Sequence, residues 1–222
     1  MREREVWDEF WTTRGRNSLF ERLSSFLRYR ILAPAVRTYT DRFFPFEGVF
    51  VECGCGTGQS SSRISKFGRR LIALDVSMGT LRSARAVPTY TDHLQADIRQ
   101  LPFPDGSISG IWNLGVMEHF EADEGQGILV EFRRVLEPGR AVVLFWPPNF
   151  SSTRWILGPI ERVLTWLRGK PFRVFPDEVN RLRSRRHAFA TMASAGFQPL
   201  AADFTFRDWF IHIVAVGRKP LA

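Results

Sequence analysis

The sequence predicts an α/β fold: a doubly wound, mostly parallel, seven-stranded sheet with an antiparallel C-terminal strand and extra N-terminal helices. Three observations predict it. From Val49 to Trp146, short apolar runs alternate with helical stretches, the pattern of a parallel sheet covered on both faces. Gly54, Gly56 and Gly58 follow the first of these runs directly, where the backbone must turn tightly before the next element. Two strand-like runs close the chain, most simply an antiparallel hairpin. The 222 residues suffice for one such core and are too few for two ordinary domains.

Taken in order, Ser18-Leu-Phe-Glu21 has the form of a capping box, and Leu19, Leu23, Phe26, Leu27 and Ile31 recur at helical spacing. This predicts a first helix from Leu19 to Leu32. Pro34 opens a second helix carrying Val36, Tyr39 and Phe43, which Pro45 stops. Residues 1–47 thus form a helical cap, placed to cover the ligand edge of the sheet. The core, 48–146, is expected to hold strands at Val49–Cys53, Leu71–Asp75, His93–Asp97, Ser107–Asn113 and Ala141–Trp146. Helices at Ser60–Phe67, Ser77–Ala86 and Gly125–Leu136 fill the gaps between them. After Pro147-Pro148 the alternation lapses, and Gly158-Pro159 and Gly169 bracket a short amphipathic helix with Ile160, Val163, Leu164 and Leu167. Residues 147–186 read as a basic, aromatic insertion or lid. The last segment, 187–222, carries a helix at His187–Ala195 ended by Gly196, then strands Pro199–Phe206 and Phe210–Val216 joined tightly at Arg207-Asp208.

Composition narrows the setting. The N-terminus is charged and unlike a signal sequence, and no apolar run reaches the roughly 18 residues of a membrane span. A cytoplasmic protein is expected, with any membrane contact peripheral and made through 150–186. Cys53 and Cys55 are the only cysteines and supply neither a disulfide framework nor a zinc site; no metal is expected. The formal charge of +8 is concentrated, since residues 147–190 hold nine Lys/Arg against three Asp/Glu. Such a segment suits a membrane surface, a nucleic acid or an acidic substrate, and equally a solvated face. Twenty Phe and seven Trp leave aromatic surface for binding once a core is filled.

The densest signal is Val51-Glu-Cys-Gly-Cys-Gly-Thr-Gly58, in which glycine lets the backbone approach a ligand and a following helix N-terminus would offer N–H groups to an anionic group. A dinucleotide fingerprint needs its third glycine at position 59, which is Gln59, so the spacing argues against NAD. Asp75 ends the second strand, where a carboxylate can accept from two ribose hydroxyls. Asp97 ends the third, where it can accept from an adenine amino group. A lone aspartate in such a place is as readily a cap or turn former; three correctly ordered strand ends favour a ligand site.

Together these segments resemble the class I S-adenosylmethionine-dependent methyltransferases, in particular the small-molecule, type 11-like group. The resemblance covers residues 48–146 and rests on Glu52 to Gly58, Asp75, Gln95-Ala-Asp-Ile98, Asn113-Leu-Gly-Val-Met-Glu-His-Phe120 and Leu136-Glu-Pro-Gly139 as the turn entering strand five. It implies a Rossmann-like sheet and S-adenosylmethionine as cofactor, with S-adenosylhomocysteine as product. Glu52, Gly54, Cys55, Gly56 and Gly58 would face the methionine part and Asp75 the ribose. Val76 and Met78 would surround the adenine, which Asp97 and Ile98 would hold, and Asn113 and Leu114 would lie near the sulfonium.

Methyl transfer is an in-line displacement in which alignment supplies much of the acceleration. For a hydroxyl acceptor a base becomes useful, and His119 beside Glu118 is the best-placed candidate, although a histidine there serves equally well as a packing residue. His93, His187 and His212 fall away from that edge and receive no role. The aromatic and basic residues of the insertion, among them Trp155, Trp166, Phe172, Phe175, Lys170 and Arg173, suit a small-molecule or lipid-like acceptor. Two alternatives stay open: an RNA-modifying enzyme gripping phosphates through Arg181-Leu-Arg-Ser-Arg-Arg186, which the absence of an Asn-Pro-Pro-aromatic motif after strand four disfavours, and an inactive cofactor-binding partner subunit. Oligomeric state is not encoded in any motif.

Overall fold

The computed structural model describes residues 7, 19–169 and 178–221. One sheet contains β1 (Gly48–Cys53), β2 (Arg69–Asp75), β3 (Asp92–Gln95), β4 (Ile108–Leu114), β5 (Leu136–Trp146), β6 (Gln198–Phe204) and β7 (Ile213–Arg218), in the spatial order 3-2-1-4-5-7-6. The first five are parallel, and β7 runs antiparallel between β5 and β6. This is the expected Rossmann-like sheet with its antiparallel C-terminal strand. Strand order reverses between β1 and β4, and ligands of open α/β sheets bind in the crevice beyond the strand ends at such a switch point.

Alternation along each strand builds two cores. Val51, Ile72, Leu74, Ile111, Val142 and Leu144 meet Ile128, Leu129, Phe132 and Val135 of α4 (Ala122–Val135) and Ala188 and Met192 of α6 (Arg185–Ser194). On the opposite face Phe50, Leu71, Ala73, Trp112, Val143 and Phe145 meet Ala35, Val36 and Tyr39 of α2 (Ala33–Phe43) and Leu81 and Ala84 of α3 (Met78–Ala84). Cys53 and Cys55 are free and buried in opposite cores, because Gly54 at φ +77° turns the chain between them.

Several elements differ from expectation. The two N-terminal helices are one rod, in which α1 (Leu19–Leu27) passes through a π-helical turn at Arg28–Leu32 into α2. Pro34 lacks an N–H and would crowd the Arg30 carbonyl; the widened turn, closed by Ala33 N–H to Arg28 O, absorbs it. The capping residue expected at Ser18 lies outside the described residues. No α-helix covers 60–67: a single 3₁₀ turn at Gln59–Ser61 ends in further turns. Three consecutive serines, whose hydroxyls compete for backbone partners, disfavour the helix there.

The insertion helix is longer than expected. α5 spans Ser152–Arg168 with Pro159 inside it, and Gly169 at φ +62° ends it as read from the sequence. Its start is anchored where Ser152 donates from N–H to the Phe210 carbonyl (3.0 Å) and from Oγ to the Trp209 carbonyl (2.7 Å). Lys170, Phe172, Arg173 and Phe175 lie outside the described residues. The β6–β7 connection is a full loop with a 3₁₀ turn at Phe206–Asp208, capped by Thr205, and left-handed Trp209 and Phe210. β3 stops at Gln95, leaving Asp97 beyond it. β5 begins at Leu136, paired with Ile108, so the segment read as an entering turn is already strand. Among the described residues no helix is long and apolar enough to cross a membrane.

Candidate functional site

A cavity of about 280 Å³ opens at the C-terminal ends of β1, β2 and β4, with the inner face of α1 as its far wall. The loop after β1 forms its floor. Gly54 and Cys55 N–H groups both bond the Leu74 carbonyl at 2.8 and 3.0 Å, locking the loop to β2. Gly54 sits at φ +77°, and a Cβ there would stand 2.5 Å from Val116 Cγ2, so only glycine fits without displacement. Asp75 orders the same loop: Gly56 N–H donates to its Oδ2 and Ser77 N–H to its Oδ1, each at 2.9 Å.

Of the residues singled out from sequence, Glu52, Gly54, Cys55, Gly56, Asp75, Val76, Asp97, Ile98, Leu114 and His119 line this one cavity. Gly58, Met78 and Asn113 do not. Gly58 lies behind the loop, where a Cβ would meet Tyr90 at 2.7 Å. Asn113 is fully buried, and its side-chain amide has no hydrogen-bond partner. Asp97 is partly committed, since Arg99 bonds both its oxygens and also reaches Glu124. Burial pushes the Asp97 carboxyl up, but the Arg99 bonds win and hold it below the ordinary value. No α-helix N-terminus follows the loop, so the anion-binding helix end expected there is absent; a 3₁₀ turn at Gln59–Ser61 takes its place.

Glu52 is buried beneath the loop, where it accepts from the Tyr90 hydroxyl. Burial lifts its carboxyl to about 7, against hydrogen bonds from Tyr90, Ser61 and Trp112. On the far side of the cavity, burial and the Glu178 carboxylate lift Glu118 to about 8, against the pull of Arg181. Both groups hold their protons more tightly folded than unfolded. Their contribution to stability is therefore full below the ordinary carboxylate value of 4.5 and is lost as pH rises, through about 7 for Glu52 and about 8 for Glu118. For Glu52 the rise from 4.5 to about 7 corresponds to roughly 3 kcal/mol. Glu52→Gln is expected to flatten that part of a melting-temperature profile taken between pH 4.5 and 8; an unchanged slope contradicts the assignment.

Sequence reasoning missed part of the far wall. Because β7 is antiparallel, its beginning, not its end, lies at the edge where the parallel strands finish; Ile213 pairs with Trp146. His212, just before it, therefore lines the cavity beside Ile211 and Pro147. Its Nδ1 stands 3.0 Å from Asp208 Oδ2, which also accepts from the His212 N–H at 2.9 Å. Both residues are buried, and Phe145 packs edge-on against the imidazole. His119 differs: burial and then Arg181 lower its imidazole to about 4, and it packs edge-on against Trp7. A signal for His212 existed in the antiparallel hairpin, had its direction been followed to the sheet edge.

The segment after the insertion crosses this wall. Val179 and Asn180 N–H groups bond the Glu118 carbonyl (2.8 and 3.0 Å), and Trp146 Nε1–H bonds the Asn180 carbonyl (2.6 Å). The arginine run 181–186 is consequently divided. Arg181 turns inward to Glu178 and the Pro148 carbonyl, Leu182 is fully buried, and Arg185 is tied to Ala202 O and Asp203. Arg183 and Arg186 remain exposed.

Residues 51–144 match the family described as "Methyltransferase domain". Malonyl-[acyl-carrier protein] O-methyltransferase of Yersinia pestis is 40% identical over 98 residues, covering 44% of this chain and 35% of that protein. Demethylmenaquinone methyltransferase of Thermus thermophilus is 32% identical over 148 residues, covering 63% of this chain and 65% of that protein. The match thus spans only about a third of the first of these relatives. Human N-acetylserotonin methyltransferase, solved with S-adenosylmethionine, superposes with a TM-score of 0.60 at 14% identity, over 99% of this chain and 57% of that one, a likeness of fold.

Proposed function

We propose, on the premise that residues 51–144 belong to the methyltransferase-domain family, that the chain is an S-adenosylmethionine-dependent methyltransferase acting on a small-molecule or lipid-like acceptor. The observation that carries the reading is one cavity lined together by Gly54 to Thr57 of the loop, by Asp75, by Ser24 and Leu27 of α1 and by His212, which Asp208 holds from behind. The polar groups fit an adenosine bearing an amino acid: a carboxylate at the end of β2 for ribose hydroxyls, and Glu52 at the cavity floor for an ammonium, while the loop's own N–H groups at Gly54, Cys55, Gly56 and Gly58 are spent on holding its shape. A pyrophosphate has no matching third glycine at Gln59.

When bound, S-adenosylmethionine supplies an electrophilic methyl group on a sulfonium with a good leaving group. The protein's residues contribute position and proton control. Asp75 and the loop fix one reactant, and the apolar wall of Leu27, Leu32 and Ile211 holds the other in line while excluding water. For an oxygen acceptor, His212 Nε2 takes the hydroxyl proton; Asp208 holds the opposite nitrogen and stabilises the resulting imidazolium. This moves the base assignment away from His119, whose site disfavours the protonated ring.

Inward pairing of Arg181 and the Ala202 and Asp203 bonds of Arg185 leave Arg183 and Arg186 as the outward cations of that run, a small footprint for an RNA backbone. The names of the Yersinia and Thermus relatives support beginning an acceptor screen with a malonyl thioester and a quinol. Transfer of radiolabelled methyl from S-adenosylmethionine to one of the acceptors screened tests the reading. Tight cofactor binding without transfer to any acceptor would favour an inactive partner subunit.

A further inference from the structure

Three separate elements at the cavity mouth each carry both a lining residue and, close by, exposed apolar side chains. On α1 and the π-helical turn after it, Ser24, Leu27 and Arg28 line the cavity, while Leu23, Phe26 and Tyr29 point outward between exposed Arg22 and Arg30. On α5, Thr153 lines the cavity and Trp155 is 77% exposed. On the β6–β7 loop, Ile211 lines it while Phe206, Trp209 and Phe210 are exposed beside Arg207. Each of the three elements that meet at the cavity thus also carries exposed apolar surface, a rim of side chains within a few residues of the lining and not a scatter over the chain.

α5 carries the longest of these apolar surfaces. Trp155, Val163, Trp166 and Leu167 recur at helical spacing, so they share one side of the helix, and all are exposed, with Trp166 at 80%. Exposed Arg162 falls at the edge of that stripe. An exposed helix with a tryptophan-bearing apolar side and arginine beside it has the form of a helix that lies in a membrane interface, its rings among the acyl chains and its guanidinium groups at the phosphates.

We propose that this rim is a docking surface for an anionic lipid bilayer, which seats the cavity mouth against the membrane so that a lipid-phase acceptor enters without crossing water. The occupant is argued from charge and chemistry. The chain carries a formal +8, and Arg22, Arg30, Arg162 and Arg207 lie among the apolar residues of the rim itself, the arrangement that anionic headgroups complement. A nucleic acid would call for a cationic stripe with few aliphatic anchors, whereas here Leu23, Val163 and Leu167 stand exposed beside the aromatic rings. The inference rests on the proposed acceptor class, and the bilayer test is independent of turnover.

The experiment is co-sedimentation of the full chain with phosphatidylcholine vesicles and with phosphatidylcholine–phosphatidylglycerol vesicles, alongside Trp155→Ser/Trp166→Ser and Leu23→Ser/Phe26→Ser. These side chains are exposed and outside the cavity lining, so cofactor affinity by calorimetry is expected to stay unchanged in both variants. The expected result is saturable binding to the anionic vesicles, weaker on neutral ones, and reduced about tenfold or more in each double variant. No binding of the native chain to anionic vesicles, or undiminished binding of both variants, overturns the proposal. So does a native dimer that the tryptophan variant dissociates, which makes a second copy the occupant, or salt-sensitive binding to a single-stranded RNA in place of vesicles. Failure of the cofactor titration in a chain that still binds vesicles would count against the methyltransferase reading and leave the docking surface standing.

Discussion

Asp75→Ala is expected to weaken S-adenosylmethionine binding roughly 10²- to 10⁴-fold, since two charge-assisted hydrogen bonds to a ribose carry about 1.5–3 kcal/mol each. The effect has two sources. The carboxylate is the acceptor aimed at the ribose, and it also holds the loop through Gly56 and Ser77. Asp75→Asn keeps the shape but sets an NH2 group against the N–H of Gly56 or Ser77, so an intermediate loss of affinity is expected together with a lowered melting temperature. Calorimetric titration of both variants, beside their melting curves, makes the check. Native affinity in a folded Asp75→Ala chain would remove the ribose contact from the account.

His212→Gln carries the second large effect. With an oxygen acceptor identified by the methyl-transfer screen, kcat is expected to fall about 10²- to 10⁴-fold while cofactor affinity is unchanged, the range for loss of a general base. Asp208→Asn, a positioning change, is expected to fall short of that loss, because His212 keeps its ring but loses the charge that orients and stabilises it. His119→Ala is expected to leave kcat within a few-fold of native, since an imidazole held near 4 by burial and Arg181 is a weak base. Equal kcat in native and His212→Gln chains would return the base role to another group.

Much of this site was legible in the sequence because strand ends and glycines are local signals. Ten of the thirteen residues singled out line the cavity, and the loop from Gly54 to Gly58 turns through left-handed glycines where the spacing called for them. What escaped depended on tertiary direction. His212 was assigned away from the edge although an antiparallel β7 begins there, and Asp208 becomes its partner only through the 3₁₀ turn at Phe206–Asp208. The helix expected at 60–67 failed for a local reason, its serine run. The continuous rod through Pro34 was illegible because a π-turn spreads its cost over five residues and leaves no mark in periodicity. Glu118 and Arg181 were read separately; their meeting at the cavity wall depends on the return of the chain after the insertion.

Whether this cavity takes S-adenosylmethionine is decided by calorimetric titration of the purified chain with S-adenosylmethionine, S-adenosylhomocysteine and NAD. Saturable one-to-one binding of both sulfur compounds and none of NAD is expected. Binding of NAD, or of neither sulfur compound by a folded chain, would contradict it.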